Sequence, residues 1–172
     1  MEIVKIPKER IGVLLGEGGK TKKRIEETAT ITLRVNSEGE IILEGEEDKI
    51  YFGTEVIKAI GRGFSPDDAI KIITKNKSFF MINLKEFANT PNATTRIKAR
   101  VIGENGKVKS EIESATGCTI SVYGKTIGII GDYDSIEYAK EAITKIIKGS
   151  QHSTIFNYLA DARRKIIQER LK

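Results

Sequence analysis

The chain of 172 residues has no tryptophan, three prolines, one histidine and one cysteine. With Cys118 alone, no internal disulfide can form, which fits a reducing compartment and points to the cytoplasm. His152 and Cys118 stand apart from any second ligand at metal-binding spacing, so no metal site, no Cys–His nucleophile and no cofactor are expected. No apolar run approaches the ~20 residues of a membrane-spanning helix. The opening MEIVKIPKER lacks the apolar core of a secretory signal, so no membrane association is expected. Only 6% of residues are aromatic, which leaves few rings on which a base could stack. What the chain does have is charge: 29 Lys and Arg against 24 Asp and Glu give a net +5, a mild excess that permits a polyanionic partner without requiring one.

The stretch LLGEGGKTKKRIEE carries a Gly-rich turn into a Lys-rich helix, an arrangement suited to phosphate. A nucleotide P-loop needs Gly, four residues, then Gly-Lys-Ser/Thr, but five positions before Gly19 stands Leu14, so that loop cannot close around two phosphates. The dinucleotide fingerprint fails as well, because its third Gly would fall on Thr21. The stretch recurs as VIGENGKVKSEIES. Gly16/Gly103, Glu17/Glu104, Gly19/Gly106, Lys20/Lys107, Lys22/Lys109, Ile25/Ile112, Glu26/Glu113, Thr32/Thr119 and Val35/Val122 all match at an offset of 87 residues. The chain is a tandem repeat, and Val108 in place of Thr21 removes even the partial P-loop match from the second copy.

Each copy reads as β-α-α-β-β-α. In the first, EIVKI predicts a strand, residues 8–15 a helix after Pro7, and 19–28 a second helix with Ile25 inward. TITLRVN and EIILEG form a hairpin around Ser37-Glu38-Gly39, and residues 48–60 a helix burying Tyr51, Val56, Ile57 and Ile60. In the second, FFMINL is the strand, 92–102 and 107–115 the helices around the loop, CTISVYG and TIGIIG the hairpin, and 134–148 the closing helix. Gly45 and Gly131 correspond at an offset of 86, so one residue has been lost in a turn. Outside the repeat, Ser65 and Pro66 predict a short helix, and the C-terminal STIFNYLADARRKIIQERLK an amphipathic helix with Ile155, Leu159, Ala162 and Ile166 on the face that packs across the two units. The domain boundaries that follow are 1–76, 77–149, and 150–172 for the last helix.

Glycines let another backbone approach, and a helix start exposes N–H groups and a partial positive charge, so Gly16-Glu17-Gly18-Gly19 and Gly103-Glu104-Asn105-Gly106 are candidate anion sites. Lys20, Lys22, Lys23 and Arg24 crowd the opening turns of their helix against its dipole, an arrangement that makes sense with a phosphate backbone across it. These two motifs, each within β-α-α-β-β-α, resemble the KH domain, whose Gly-x-x-Gly loop clamps single-stranded nucleic acid. The resemblance covers nearly the whole chain and implies an α+β fold of two tandem eukaryotic-type KH domains. The Gly-Lys-x-Lys spelling, AIGRGFSPDDAIKI and IIKGSQHSTIFNYL resemble archaeal relatives of the Partner-of-Nob family, KH proteins of small ribosomal subunit maturation. That resemblance implies binding of single-stranded RNA near the 3′ end of 16S ribosomal RNA in the pre-small subunit, and cooperation with a maturation endonuclease.

The sequence departs from many KH domains at Glu17 and Glu104, where a basic residue is common in the loop, and at Lys22 and Lys109, where Ile is common. With few aromatics, bases would rest on aliphatic surface such as Ile31, Leu33, Ile120 and Val122, positions that strand periodicity also assigns to core. The second copy is expected to be the main clamp, because Arg96, Lys98 and Arg100 enter its loop and Lys107 and Lys109 leave it. No enzymatic activity is expected. The alternative is a protein-interaction scaffold in which one unit no longer binds RNA.

Overall fold

The computed structural model describes all 172 residues, which divide into two compact units, Met1–Phe79 and Phe80–Lys172. In the first, strand β1 (Glu2–Lys5) leads through a 3-10 turn into helix α1 (Ile11–Leu15), and helix α2 (Lys20–Ala29) follows the Gly-rich corner. Strands β2 (Thr32–Val35) and β3 (Glu40–Glu44) form the hairpin, and helices α3 (Glu47–Gly61) and α4 (Pro66–Thr74) close the unit. The second repeats the order: β4 (Ser78–Asn83), α5 (Pro91–Ile102), α6 (Lys107–Thr116), β5 (Thr119–Tyr123), β6 (Thr126–Gly131), α7 (Tyr133–Ile147) and α8 (His152–Arg170). Strand order is β1-β3-β2 in one sheet and β4-β6-β5 in the other.

Alternation sets the hairpins. Leu33, Ile41 and Leu43 face inward beside Val4, and Ile120, Ile127 and Ile129 do the same in the second unit. The pairing Val35 with Ile41 recurs as Val122 with Ile127. The lost residue therefore lies in the hairpin turn, where Ser37-Glu38-Gly39 gives way to Gly124-Lys125. One expectation fails here: Tyr51 is 62% exposed, and Ile50 takes the inward position. Ile50, Thr54 and Ile57 share a helical face, and Tyr51 sits about 100° away from it at 3.6 residues per turn.

The helices read as lying outside the repeat occupy matching places. α4 packs on α2 and α3, and α8 packs on α6 and α7. Ser65 caps α4 as expected, its side chain accepting from the Asp68 N–H, with Pro66 at the first helical position. Gly63 and Gly149, 86 residues apart, turn the chain into α4 and α8 with φ of 97° and 99°. The α8 face carrying Ile155 and Leu159 belongs to the core of the second unit, with Ile112, Ile143 and Ile146. The duplicated element thus runs β-α-α-β-β-α-α, with the last helix buttressing the helix that leaves the Gly-rich corner.

A guanidinium fixes the end of the third helix in each unit. Arg10 donates to the carbonyls of Ile60 and Phe64, both at 2.8 Å. Arg100 donates to those of Ile146 and Ser150, at 2.5 and 2.6 Å. The two pairs of carbonyls are equivalent, each 86 residues apart, but the arginines are not: Arg10 lies six residues before its loop glycine and Arg100 three. The Ile60 and Ile146 carbonyls also accept from the Gly63 and Gly149 N–H groups, so each guanidinium adds a second donor there and fixes the turn beyond the helix end. Arg100→Leu should lower stability in urea denaturation by about 1.5–3 kcal/mol, the range for hydrogen bonds to a charged group, while Lys98→Leu changes it by less than about 0.5 kcal/mol.

Candidate nucleic-acid interface

The corner between the first two helices has one backbone shape in both units. Gly16 (φ 72°, ψ 177°) matches Gly103 (76°, 173°), Gly18 (59°, 24°) matches Asn105 (54°, 26°), and Gly19 (76°, 11°) matches Gly106 (74°, 13°). All six torsion pairs agree within 5°. Three residues at positive φ in a span of four demand glycine or, at the third place, asparagine.

The first glycine is needed for a further reason. A Cβ on Gly103 would lie 2.4 Å from Val108 Cγ2, and one on Gly16 would lie 2.2 Å from Thr21 Oγ1. The residue that looked like a P-loop threonine is a packing group beneath the corner, which is why isosteric Val replaces it in the second copy. Above Gly18, Gly19 and Gly106 an added Cβ would meet nothing within 4 Å. The loop is therefore sealed from below and open above, the shape that lets another backbone come close. The Gly19 and Lys20 N–H groups, and their counterparts Gly106 and Lys107, donate within the corner itself, and those of Gly16 and Gly103 donate back to the Gly12 and Ala99 carbonyls of the preceding helix. Glu17, Glu104 and Asn105 are exposed on its surface.

The basic residues sort into two groups. Lys22 pairs with Glu26 at 3.3 Å, and Lys109 with Glu113 at 3.6 Å. Each glutamate also accepts from a strand amide, Glu26 from Leu33 N–H at 2.8 Å and Glu113 from Ile120 N–H at 3.0 Å. This duplicated Lys–Glu–amide chain ties α2 to β2 and α6 to β5. The positions where many KH domains carry Ile are thus occupied by a polar brace. In the first unit Lys23 lies 4.0 Å from Glu27, Arg24 2.5 Å from Asp67, and Lys8 2.8 Å from Glu38. Lys20 is the loop-proximal lysine there without an ion pair. In the second unit Arg96, Lys98 and Lys107 have none, and Lys107 stands 5.7 Å above the Phe156 ring of α8.

Arg96, Lys98 and Arg100 do not act as one row. On a helix, residues two apart point to different sides, so Arg96 and Arg100 share a face and Lys98 does not. Arg100 is held on the Ile146 and Ser150 carbonyls, which gives it a structural task that spacing alone did not reveal. The aliphatic base platform is also revised. Ile31, Leu33 and Ile120 are buried, and Val122 packs against the core, so the core assignment prevails. The half-exposed aliphatic residues that enter the loops are Leu15 and Ile102.

A glycine corner of this shape, twice, in two units of order β-α-α-β-β-α with sheets β1-β3-β2 and β4-β6-β5, defines a tandem KH protein of the eukaryotic type. Residues 78–164 match the eukaryotic-type KH domain (KH-domain type I) in the form of the second domain of PNO1, and residues 1–59 match the KH domain. The KH domain-containing protein MJ0443 of Methanocaldococcus jannaschii is 35% identical over 100% of this chain and 78% of its own. The pre-rRNA-processing protein PNO1 of Chaetomium thermophilum is 30% identical over 73% of this chain and 48% of its own, so the chain spans about half of that relative. A chain in the crystal structure of the a/eIF2α–aDim2p–rRNA complex from Pyrococcus horikoshii OT3 is 37% identical with a TM-score of 0.88, covering 95% of this chain and 94% of that one. The chain belongs to the PNO1/Dim2 family of KH proteins.

The corner separates steric from torsional demand. Gly106→Ala, with open space above it, should cost about 1–2 kcal/mol from its torsion alone. Gly103→Ala adds a collision with buried Val108 and should cost at least about 1 kcal/mol more in urea denaturation. Asn105→Gly should stay within about 0.5 kcal/mol.

Proposed function

We propose that this protein binds single-stranded ribosomal RNA, in the 3′ region of 16S rRNA, during maturation of the small ribosomal subunit in the cytoplasm, with the second unit as its main clamp. The observation that carries the choice of unit is the distribution of ion pairs. Lys8, Lys23 and Arg24 of the first unit face Glu38, Glu27 and Asp67 and leave Lys20 unpaired, whereas Arg96, Lys98 and Lys107 around Gly103–Gly106 all face no carboxylate; the Lys22–Glu26 and Lys109–Glu113 pairs are common to both units. An unpaired cation gains from a phosphate without first giving up a partner. Gly103, Glu104, Asn105 and Gly106 admit the backbone, Lys107 neutralises it, Arg96 and Lys98 add positive potential from different sides of α5, and Ile102 offers aliphatic surface to a base. Lys109 and Arg100 hold the frame.

Relatives support the RNA class: PNO1 proteins are pre-rRNA-processing proteins, and aDim2p has been solved with rRNA and a/eIF2α. The assignment to the 3′ region rests on the family resemblance, as does cooperation with a maturation endonuclease. The first unit, with Gly16, Glu17, Gly18, Gly19 and Lys20 at its corner, is the weaker RNA site, and its paired cations favour an accessory or protein-binding role for it.

Replacing Glu104-Asn105 by Asp-Asp adds one negative charge where the backbone would lie and should abolish binding of single-stranded RNA in filter assays, with the melting curve retained. The matching change at Glu17-Gly18 should leave most of the affinity. Binding that survives the first change would overturn the assignment of the clamp.

About four nucleotides in a KH groove, at roughly −0.7 per phosphate, give a slope of log affinity against log salt of about −3. Duplex RNA should bind more weakly than single strands at every salt concentration, since the groove accepts unstacked bases; equal affinity would sink the proposal. No catalysis is proposed for the chain itself. Leu14 occupies the place of a P-loop glycine and Thr21 is a packing group, so purified protein with ATP and magnesium should release no phosphate above background.

A further inference from the structure

Lys107 differs from its counterpart in the first unit in what lies against it. It is the first residue of α6, where the positive end of the helix dipole works against an ammonium group. No carboxylate pairs with it. Its Nζ stands instead 5.7 Å from the centroid of the Phe156 ring, within the range where the negative face of an aromatic ring attracts a cation.

Phe156 belongs to α8, the helix that follows the β-α-α-β-β-α order, and it reaches the corner because α8 packs on α6. The ring is not a loose surface group. It is half-buried against the core of the second unit, and the His152 ring, one turn earlier on the same face of α8, flanks it at 6.4 Å. Counted from Gly63 and Gly149, the equivalent place in the first unit is Ile70, which is buried and offers no ring to Lys20.

We propose that Phe156 is a positioning residue of the RNA clamp, holding the Lys107 ammonium beside the Gly103–Gly106 corner where it meets a phosphate; this rests on the second unit being the clamp. A lysine side chain loses rotamer freedom when it settles on a phosphate. A ring fixed in the core takes part of that loss in the free protein, so less remains to be lost on binding. The chemistry of the partner matters as much as its position. Glu27 and Asp67 order Lys23 and Arg24 in the first unit but cancel their charge, whereas a neutral ring orders Lys107 and leaves the positive potential of its corner whole. The C-terminal helix thereby contributes to the RNA site as well as to the core.

The test measures binding of a short single strand with the sequence of the 16S rRNA 3′ end to the full chain, well below the melting temperature of every variant. Phe156→Leu should weaken binding about three-fold, the size of an exposed cation–π contact. Its slope of log affinity against log salt should match the parent, because no phosphate contact is lost. Phe156→Tyr keeps the ring and should bind as the parent does. Lys107→Gln should make the salt slope shallower by about 0.7, and in that background Phe156→Leu should change nothing, because the group it orders is gone.

A ring with a packing role alone would cost the same in both backgrounds, and that result would overturn the proposal. Parent-like affinity in Phe156→Leu would overturn it as well, and so would tighter binding, which makes the ring a competitor of the phosphate. The side-chain CH2 protons of Lys107 give a reading that needs no substitution at 156. The ring current should shift them upfield in the free protein and with RNA bound; no shift in the free protein, or its loss on binding, refutes the contact. The clamp is judged separately by the Asp-Asp change at Glu104-Asn105. If that change abolishes binding while Phe156→Leu does nothing, the corner stands and the ring has no part in it.

Discussion

Everything about the glycine corner depends on one close contact, the side chain of Val108 or Thr21 pressed against the bare Cα of Gly103 or Gly16. With no Cβ in that gap, α5 and α6 can meet at a corner only four residues long, and the corner is closed to solvent from beneath. A tight corner forces α6 to begin under the loop, which exposes Lys107 at its first turn and leaves the glycine backbone as the outermost surface. The same start brings Glu113, two turns further along, within reach of the first amides of β5. Loop, helix and sheet are coupled through a single missing methyl group.

Duplication preserved that geometry and let its surroundings diverge. The torsions of the two corners are nearly identical, yet the carboxylates around them differ. Glu38 and Asp67 occupy cations in the first unit, while no acidic residue plays that part for Arg96 or Lys98 in the second. Exposed ion pairs of this kind contribute little to stability. Their main effect is to set how much positive potential each corner presents, so two units of equal fold can differ in their attraction for a polyanion without any change of backbone.

Much of this was legible in the sequence because it rests on local rules. The repeat, both glycine corners, the Ser65 cap with Pro66, and the alternation of the hairpins are written in spacing and residue type. What was not legible depends on partners distant in the chain. Arg100 reads as one of three basic residues before a loop until the carbonyls of Ile146 and Ser150, some fifty residues away, fold against it. Lys22 and Lys109 read as phosphate ligands until Glu26 and Glu113 are seen relaying them to a strand. The kinship of α4 and α8 was hidden because little beyond Gly63 and Gly149 survives as identity, although apolar positions such as Ala69 and Ile155 still correspond. Tyr51 was assigned to the core by helical spacing, but the stripe that the sheet covers begins one residue earlier.

The two arginine clamps bear on how the copies drifted apart. They reach equivalent carbonyls from positions one helical turn apart, where Val13 and Ile97 occupy the alternative sites. A path between the two arrangements passes through a chain with both arginines or one with neither. The second removes the charged donor from both carbonyls, whereas the first leaves only one surplus guanidinium, which water can solvate. Gain before loss is therefore the low-energy route, and the present copies are its two opposite outcomes: a shared hydrogen-bond acceptor has outlasted the identity of the residue that serves it.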